Sequence, residues 1–264
     1  MAQRPHTPRK RFGQHFLNDS AVARRIVDSL APDAGRPVFE IGPGRGALTA
    51  PLLERLPQLH VIEIDRDLAA ELETRFGPTG RLAMHCGDAL DFDFCAAAPG
   101  PVQIVGNLPY NISTPLLFHL IDQLDCIAAM VFMLQAEVAA RMAAQPGGRD
   151  YGRLSVMVQA RCSVEHLFRV APRAFTPPPR VESAVLRLVP AADAPAIADR
   201  ELFARLVRTA FSHRRKTLRN ALKGLVEPAA FEALGIDPGA RPETLPVAAF
   251  AALANQAASR SAGT

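Results

Sequence analysis

Apolar residues in the first part of the chain fall into short runs rich in β-branched side chains, with segments of helical spacing between the early runs. These runs predict five strands, at residues 37–41, 60–65, 82–86, 102–105 and 129–134. The spacing predicts helices at residues 47–56 and 68–76. Because strands and helices alternate, the pattern predicts right-handed βαβ units around a parallel sheet.

The pattern changes in the second half of the chain. Strand candidates at residues 164–170 and 184–188 follow each other without a clear helix, which predicts an antiparallel pair at one sheet edge. Residues 189–198 are rich in Ala and Pro and predict a linker. Later helices are predicted at residues 201–210, 216–225, 229–234 and 247–258. The predicted fold is α/β: a Rossmann-like sheet domain over residues 1–190 and a small all-helical C-terminal domain over residues 199–264.

Composition favours a globular protein, since 48% of the 264 residues are apolar and 21% are charged. The longest apolar run, residues 127–134, is too short to cross a bilayer, and no secretory signal is recognisable at the start. We therefore expect a cytoplasmic protein without a membrane partner. Four scattered cysteines form no CxxC pair and no His/Cys cluster, which predicts reduced thiols and no metal site: Cys86, Cys95, Cys126 and Cys162.

Positive charge is concentrated in two segments, although the formal net charge is only +4. Residues 1–16 contain four basic and no acidic residues, and residues 200–223 contain eight basic residues against one Glu. The rest of the chain is therefore net acidic. Two basic surfaces beside an acidic body indicate a polyanionic partner, and two solvated charged segments are the alternative.

A glycine-rich turn follows the first predicted strand, with Gly42 and Gly44 where the strand gives way to a helix. Glycine allows a sharp turn and close approach of a ligand, so the turn is typical of dinucleotide enzymes and methyltransferases, and also of a plain tight turn. Glu63, 21 residues after Gly42, ends the second strand and can accept both ribose hydroxyls. Asp88 follows the third strand and can accept from an adenine amino group or cap a turn. Since no Lys follows the glycines, a nucleoside without pyrophosphate suits this site better than NAD does.

The fourth strand ends in the motif Asn107-Leu-Pro-Tyr110. Asn107 Oδ1 and the Leu108 carbonyl can accept the two hydrogens of an adenine amino group and so increase its nucleophilicity towards a methyl donor. Pro109 stiffens the turn, and Tyr110 can stack on the base. The alternative is a buried Asn that caps a helix at residues 111–120, with the tyrosine as ordinary packing.

Five motifs resemble the ribosomal RNA adenine dimethyltransferase family, in order along residues 9–255, and most closely its bacterial small-subunit members. They are Gln14-His-Phe-Leu17, Glu40-Ile-Gly-Pro-Gly44, Asn107-Leu-Pro-Tyr110, Tyr151-Gly-Arg-Leu-Ser155 and Phe175-Thr-Pro-Pro-Pro179. The resemblance implies an S-adenosylmethionine methyltransferase sheet and dimethylation of two adjacent adenosines near the 3′ end of small-subunit ribosomal RNA. It implies cofactor contacts at His15, Leu17, Gly42, Glu63, Asp88 and Asn107. It also implies that Phe175 packs on the target adenine opposite Tyr110, whereas the residues alone show only a rigid loop able to present a ring.

The basic segments are the predicted RNA contacts, because phosphate contacts position an RNA without specifying its sequence. The residues are Arg9, Lys10 and Arg11 in the N-terminal segment, and Arg214, Arg215, Lys216 and Arg219 in the C-terminal domain. The expected partner is small-subunit ribosomal RNA within an immature small subunit, bound by a monomer. Three alternatives stay open: a large-subunit RNA methyltransferase of the macrolide-resistance type, a DNA adenine methyltransferase, and a non-catalytic RNA-binding assembly factor.

Overall fold

A computed structural model describes residues 15–212 and 216–261 and divides into two compact units. The first unit comprises the described residues up to Ala139 together with Glu165–Pro190. The second comprises Ala140–Val164 and the described residues from Ala191 onwards. The segment Ala140–Val164 thus lies in the second unit, whereas the predicted boundary assigned it to the first. Its apolar side chains, including Tyr151, explain this because they are buried in the core of the second unit.

The strands form a Rossmann-like sheet and a separate two-stranded ribbon, which belong to the first unit except for residues 162–164 at the start of one strand. The strands are β1 (Phe16–Leu17), β2 (Val38–Ile41), β3 (Leu59–Glu63), β4 (Leu82–Cys86), β5 (Val102–Asn107), β6 (Ile127–Gln135), β7 (Cys162–Val170), β8 (Phe175–Thr176) and β9 (Ser183–Pro190). The sheet order is β4-β3-β2-β5-β6-β9-β7, and β1 pairs antiparallel with β8 outside it. Strands β2 to β6 are mutually parallel and β9 runs antiparallel to β6. The predicted parallel sheet with two closing edge strands is therefore confirmed.

The helices are α1 (Ser20–Leu30), α2 (Thr49–Leu53), α3 (Arg66–Phe76), α4 (Phe94–Ala97), α5 (Ser113–Asp122), α6 (Ala136–Ala143), α7 (Arg153–Gln159), α8 (Arg200–Ser212), α9 (Leu218–Ala221), α10 (Pro228–Ala233) and α11 (Val247–Ser261). The predicted helix at residues 216–225 was wrong in extent, since only Leu218–Ala221 is α-helical. Gly224 has φ of 81°, a left-handed conformation that a continuing helix cannot adopt. The predicted helix at residues 47–56 is likewise shorter, at Thr49–Leu53.

Helix α1 was not predicted, although its sequence contains the necessary features. Asp19 accepts hydrogen bonds from the Ala21 and Val22 amides and so caps the N-terminus. The four buried residues Ala23, Ile26, Val27 and Leu30 recur every three to four positions and face the sheet core. The helix ends at Ala31, which adopts a left-handed conformation.

Cys95 and Cys126 form a disulfide, so the prediction of reduced thiols was wrong for this pair. The two residues are 31 positions apart in sequence, but α4 and the turn before β6 bring their Cα atoms to 5.4 Å. Cys86 and Cys162 are free. Within residues 15–212 and 216–261, no helix is long and apolar enough to cross a membrane, and no three metal-ligating side chains converge.

Candidate active site

The carboxyl ends of β2 to β5 open onto one cleft, which lies entirely within the first unit. It encloses about 1110 Å³, part of it open to solvent. Nine of the residues predicted for the cofactor and reacting sites line this cleft together: His15, Leu17, Gly42, Glu63, Asp88, Asn107, Leu108, Pro109 and Tyr110. Parallel strands place their carboxyl ends at one sheet edge, which is why motifs far apart in sequence meet here.

The glycine turn after β2 forms one wall of the cleft. Gly42 and Gly44 have φ of 63° and 57°, a left-handed conformation that favours glycine. The Gly42 amide donates to the Ile62 carbonyl at 3.0 Å, which ties the turn to β3. A Cβ at Gly42 would meet no protein atom within 4 Å, whereas a Cβ at Gly44 would lie 3.0 Å from the Phe16 ring. The turn therefore leaves open space beside Gly42 for a ligand.

Glu63 and Asp88 bring carboxylates to the same cleft from β3 and from the turn after β4. Glu63 is buried and accepts hydrogen bonds from the Asp65 amide at 2.9 Å and from the Gly44 amide at 3.4 Å. Burial raises the pKa of Glu63. Asp88 Oδ1 accepts from the Leu90 amide at 2.9 Å, so this residue caps a turn as well as facing the cleft.

Glu40 is a cleft residue that sequence reasoning missed. It lies within the buried strand β2, is only 1% exposed, and accepts a hydrogen bond from the Thr49 hydroxyl at 2.6 Å. Burial raises its pKa to about 8. An acidic residue inside an apolar strand, just before a glycine turn, is the feature that could have identified it.

The orientation of the Asn107 amide follows from one hydrogen bond. Asn107 Nδ2 donates to the His15 carbonyl at 3.1 Å. Since a carbonyl can only accept, the amide nitrogen must face His15, and Asn107 Oδ1 is left as the acceptor. The backbone after it is fixed because the Leu108 amide donates to the Met133 carbonyl on β6 at 2.9 Å. The turn can therefore present acceptor oxygens to a bound base.

Two contacts hold the Tyr110 side chain in place. Its hydroxyl shares a 2.8 Å hydrogen bond with the hydroxyl of the fully buried Ser183, and burial raises the pKa of the phenol. The His15 ring lies beside it, with centroids 5.6 Å apart. His15 Nδ1 in turn donates to the Pro177 carbonyl at 2.8 Å. The tyrosine ring is thus bounded by β9 and by the segment around β1.

Not every predicted site residue comes to the cleft. Phe175 does not line it: the ring is 3% exposed and packs in the core, because β8 pairs with β1 in the register Leu17–Phe175. Lys216 and Arg219 are exposed residues of the second unit. The remaining predicted RNA contacts lie outside the described residues: Arg9, Lys10, Arg11, Arg214 and Arg215.

Comparisons with known proteins identify a matching family and similar relatives. The family described as "Ribosomal RNA adenine dimethylase" matches residues 5–259. A protein of Thiobacillus denitrificans named ribosomal RNA small subunit methyltransferase A is 56% identical over 257 residues, covering 97% of this chain and all of the relative. A protein of the same name from Alcanivorax borkumensis is 55% identical, covering 95% of this chain and 90% of the relative.

Solved structures show the same similarity over both units. A dimethyladenosine transferase from Plasmodium falciparum superposes with a TM-score of 0.81 at 27% identity, covering 92% of this chain and 98% of that one. A 23S rRNA methyltransferase superposes with a TM-score of 0.72 at 26% identity, covering 92% and 99%. With a matching family over nearly its whole length and relatives above 50% identity, the chain belongs to the ribosomal RNA adenine dimethylase family.

Proposed function

We propose that this protein transfers methyl groups from S-adenosylmethionine to the exocyclic amino nitrogens of two adjacent adenosines near the 3′ end of small-subunit ribosomal RNA. The observation that carries the proposal is the acceptor oxygen of Asn107, oriented by the His15 carbonyl, beside Tyr110 in a carboxylate-lined cleft. The names of the relatives above 50% identity support the small subunit as the substrate. The protein would act in the cytoplasm, as a monomer on an immature small subunit.

The residues of the cleft fit S-adenosylmethionine. Glu63 is placed at a strand end to accept from the ribose hydroxyls, and Asp88 to accept from the adenine amino group. The space beside Gly42 lets a ligand approach the backbone. His15, Leu17 and Asn107 line the same cleft and would complete the contacts. A cation suits a cleft lined by several carboxylates, and the bound cofactor would supply an electrophilic methyl group on a positively charged sulfur.

The residues of the Asn107-Leu-Pro-Tyr110 turn would make the adenine amino group reactive. The lone pair of that nitrogen is delocalised into the ring, so the nitrogen is a weak nucleophile. Asn107 Oδ1 and the Leu108 carbonyl would accept its two hydrogens and favour a pyramidal nitrogen with an available lone pair. Tyr110 would stack on the base and hold the nitrogen in line with the methyl group. No general base is needed, since the alkylated nitrogen can lose its proton to solvent.

The decisive experiment is methylation with labelled S-adenosylmethionine. Unmethylated small subunits and large-subunit RNA would be incubated side by side, and the modified nucleosides mapped. We expect dimethyladenosine at two adjacent positions in the small-subunit RNA. The similarity to a 23S rRNA methyltransferase supports a second candidate, a large-subunit enzyme, which label in the large-subunit RNA alone would favour. No label in any RNA would reject both and leave a non-catalytic assembly factor.

Basic residues of the second unit would position the RNA through its phosphates. Lys216 and Arg219 are exposed, and the neighbouring Arg214 and Arg215 extend the same basic sequence. Replacing Arg214, Arg215 and Lys216 by Gln should weaken RNA binding. It should also make the plot of log affinity against log salt concentration less steep by about 2, because each lost phosphate contact removes about 0.7 from that slope. Cofactor affinity should be unchanged. An unaltered salt slope would exclude these residues as phosphate contacts.

A further inference from the structure

Ser183 lies at the first position of β9 and is held rigidly by the sheet. It pairs with Gln135 of β6 in the antiparallel register, and just beyond it the Ala136 amide donates to the Glu182 carbonyl at 3.0 Å. The residue is fully buried, although serine is a polar side chain. A buried hydroxyl needs a partner, and here the partner is the Tyr110 hydroxyl at 2.8 Å. The bond links two residues 73 positions apart in sequence.

The hydrogen bond determines how Tyr110 can be used. A tyrosine side chain rotates about two bonds, and a bond at its far end removes most of that freedom once the backbone is fixed. The bond also uses one hydrogen-bonding position of the hydroxyl, while the ring, which lines the cleft, stays available to a ligand there. The His15 ring on one side further limits the tilt of the tyrosine ring.

We propose that Ser183 is a positioning residue for methyl transfer: its hydroxyl holds the Tyr110 ring at the angle that stacks on the target base. The inference rests on the proposed function, because it assumes a base beside Tyr110. It assigns Tyr110 the role of a stacking surface and denies its hydroxyl a direct contact with the substrate. In the alternative interpretation, the Tyr110 hydroxyl forms a hydrogen bond with the RNA, and Ser183 only packs in the core.

A double-mutant cycle separates the two roles. Ser183→Ala and Tyr110→Phe each remove the same hydrogen bond, so each should lower kcat by about 3- to 10-fold while the KM for the small subunit changes little. The double variant should lose no more than either single variant, because the bond can be lost only once. Ser183→Cys puts a larger and weaker hydrogen-bonding group at the same position and should resemble Ser183→Ala. Additive losses, or a loss with Tyr110→Phe alone, would overturn the proposal.

Whether the Tyr110 ring is held in one orientation can also be measured without any methyl transfer. The chain has no Trp and two Tyr, and the second, Tyr151, is buried in the other unit with its hydroxyl bonded to the Leu245 carbonyl at 2.9 Å. In a Tyr151→Phe background Tyr110 is the remaining tyrosine, so a change that Ser183→Ala makes in the near-ultraviolet circular dichroism of the tyrosine band reports on Tyr110, while the Cys95–Cys126 disulfide contributes equally with and without the substitution. We expect Ser183→Ala to reduce this band strongly. If Tyr151→Phe does not fold, the difference between wild type and Ser183→Ala carries the same information, since the Tyr151 contribution cancels.

Ser155→Ala is the matched control, because Ser155 is a fully buried serine of the second unit whose hydroxyl bonds to the Arg141 carbonyl. It should lower the melting temperature without changing the Tyr110 band. A Tyr110 band that Ser183→Ala leaves intact would overturn the positioning role even if kcat falls. The proposed function fails separately, if the wild-type protein methylates no adenosine.

Discussion

The two ends of the cleft differ in charge, although one sheet edge builds both. At the end formed by β2, β3 and β4, three acidic side chains face the ligand space: Glu40, Glu63 and Asp88. At the end formed by β5 and its turn, the polar side chains are neutral, and Asn107 and Tyr110 are anchored by hydrogen bonds from other segments. We propose that the first end holds a positive ligand and that the second shapes the reactivity of a neutral one.

The contacts of Asn107 favour a neutral side chain at the second end. Its side chain must donate to the His15 carbonyl and also leave an oxygen free to accept. An aspartate could accept but not donate, and its charge would face a carbonyl oxygen. Glu63 at the other end has no such double task, since its carboxylate accepts from the Asp65 amide and from the Gly44 amide of the glycine turn.

The largest effect is expected from changing Asn107. Asn107→Ala removes the oriented acceptor, and kcat for methylation of small subunits should fall by about 10²- to 10³-fold. The kcat of Asn107→Asp should fall to a similar extent, because this variant loses the hydrogen bond to the His15 carbonyl. Cofactor affinity, measured by calorimetry, should change by less than about tenfold, since the carboxylates at the other end are untouched. Full activity in Asn107→Ala would contradict the proposal that the neutral end of the cleft makes the target nitrogen reactive.

A smaller effect is expected at the acidic end. Glu63→Gln keeps one acceptor oxygen but removes the charge, so affinity should fall by about 10- to 100-fold, the cost of a hydrogen bond to a charged group. The loss should be equal for S-adenosylmethionine and its demethylated product, because they share the ribose. With saturating cofactor, kcat should recover most of its value. A loss confined to kcat would mean that Glu63 serves the reaction and not binding.

Much of this cleft could be predicted from sequence because its parts are local motifs at strand ends. The glycine turn, Glu63, Asp88 and the Asn107–Tyr110 turn each follow an apolar run, and parallel strands bring such positions to one edge. The same logic predicted five parallel strands to within two residues of their observed bounds. Periodicity and turn chemistry suffice where neighbours along the chain determine the structure.

The supporting contacts could not be predicted, because they join segments that are distant in sequence. Ser183 and Tyr110 are 73 positions apart, and Asn107 and His15 are 92 apart. The Cys95–Cys126 disulfide depends on α4 lying beside the turn before β6, which the spacing of the cysteines in the sequence does not indicate. The family resemblance implied that Phe175 packs on the target base, but pairing of β8 with β1 buries the ring.

The smallest expected effect is the partial release of one proton when the cofactor binds. Since burial raises the pKa of Glu40 to about 8, this carboxyl is mostly protonated at pH 7 in the free protein. A cationic ligand in the same cleft favours the ionised form and lowers that pKa, so binding should release part of one proton near pH 7. Affinity should then rise with pH up to about 8 and level off.

Calorimetry in buffers of different ionisation enthalpy measures this release directly. Glu40→Gln keeps an acceptor for the Thr49 hydroxyl but cannot ionise, so the dependence on buffer should disappear in this variant. The demethylated product lacks the positive sulfur, and its binding should release fewer protons than S-adenosylmethionine does. Equal release by both ligands, or release that persists in Glu40→Gln, would show that the acidic end does not sense the ligand's charge through Glu40. The contrast between the two ends of the cleft would then depend on Glu63 and Asp88 alone.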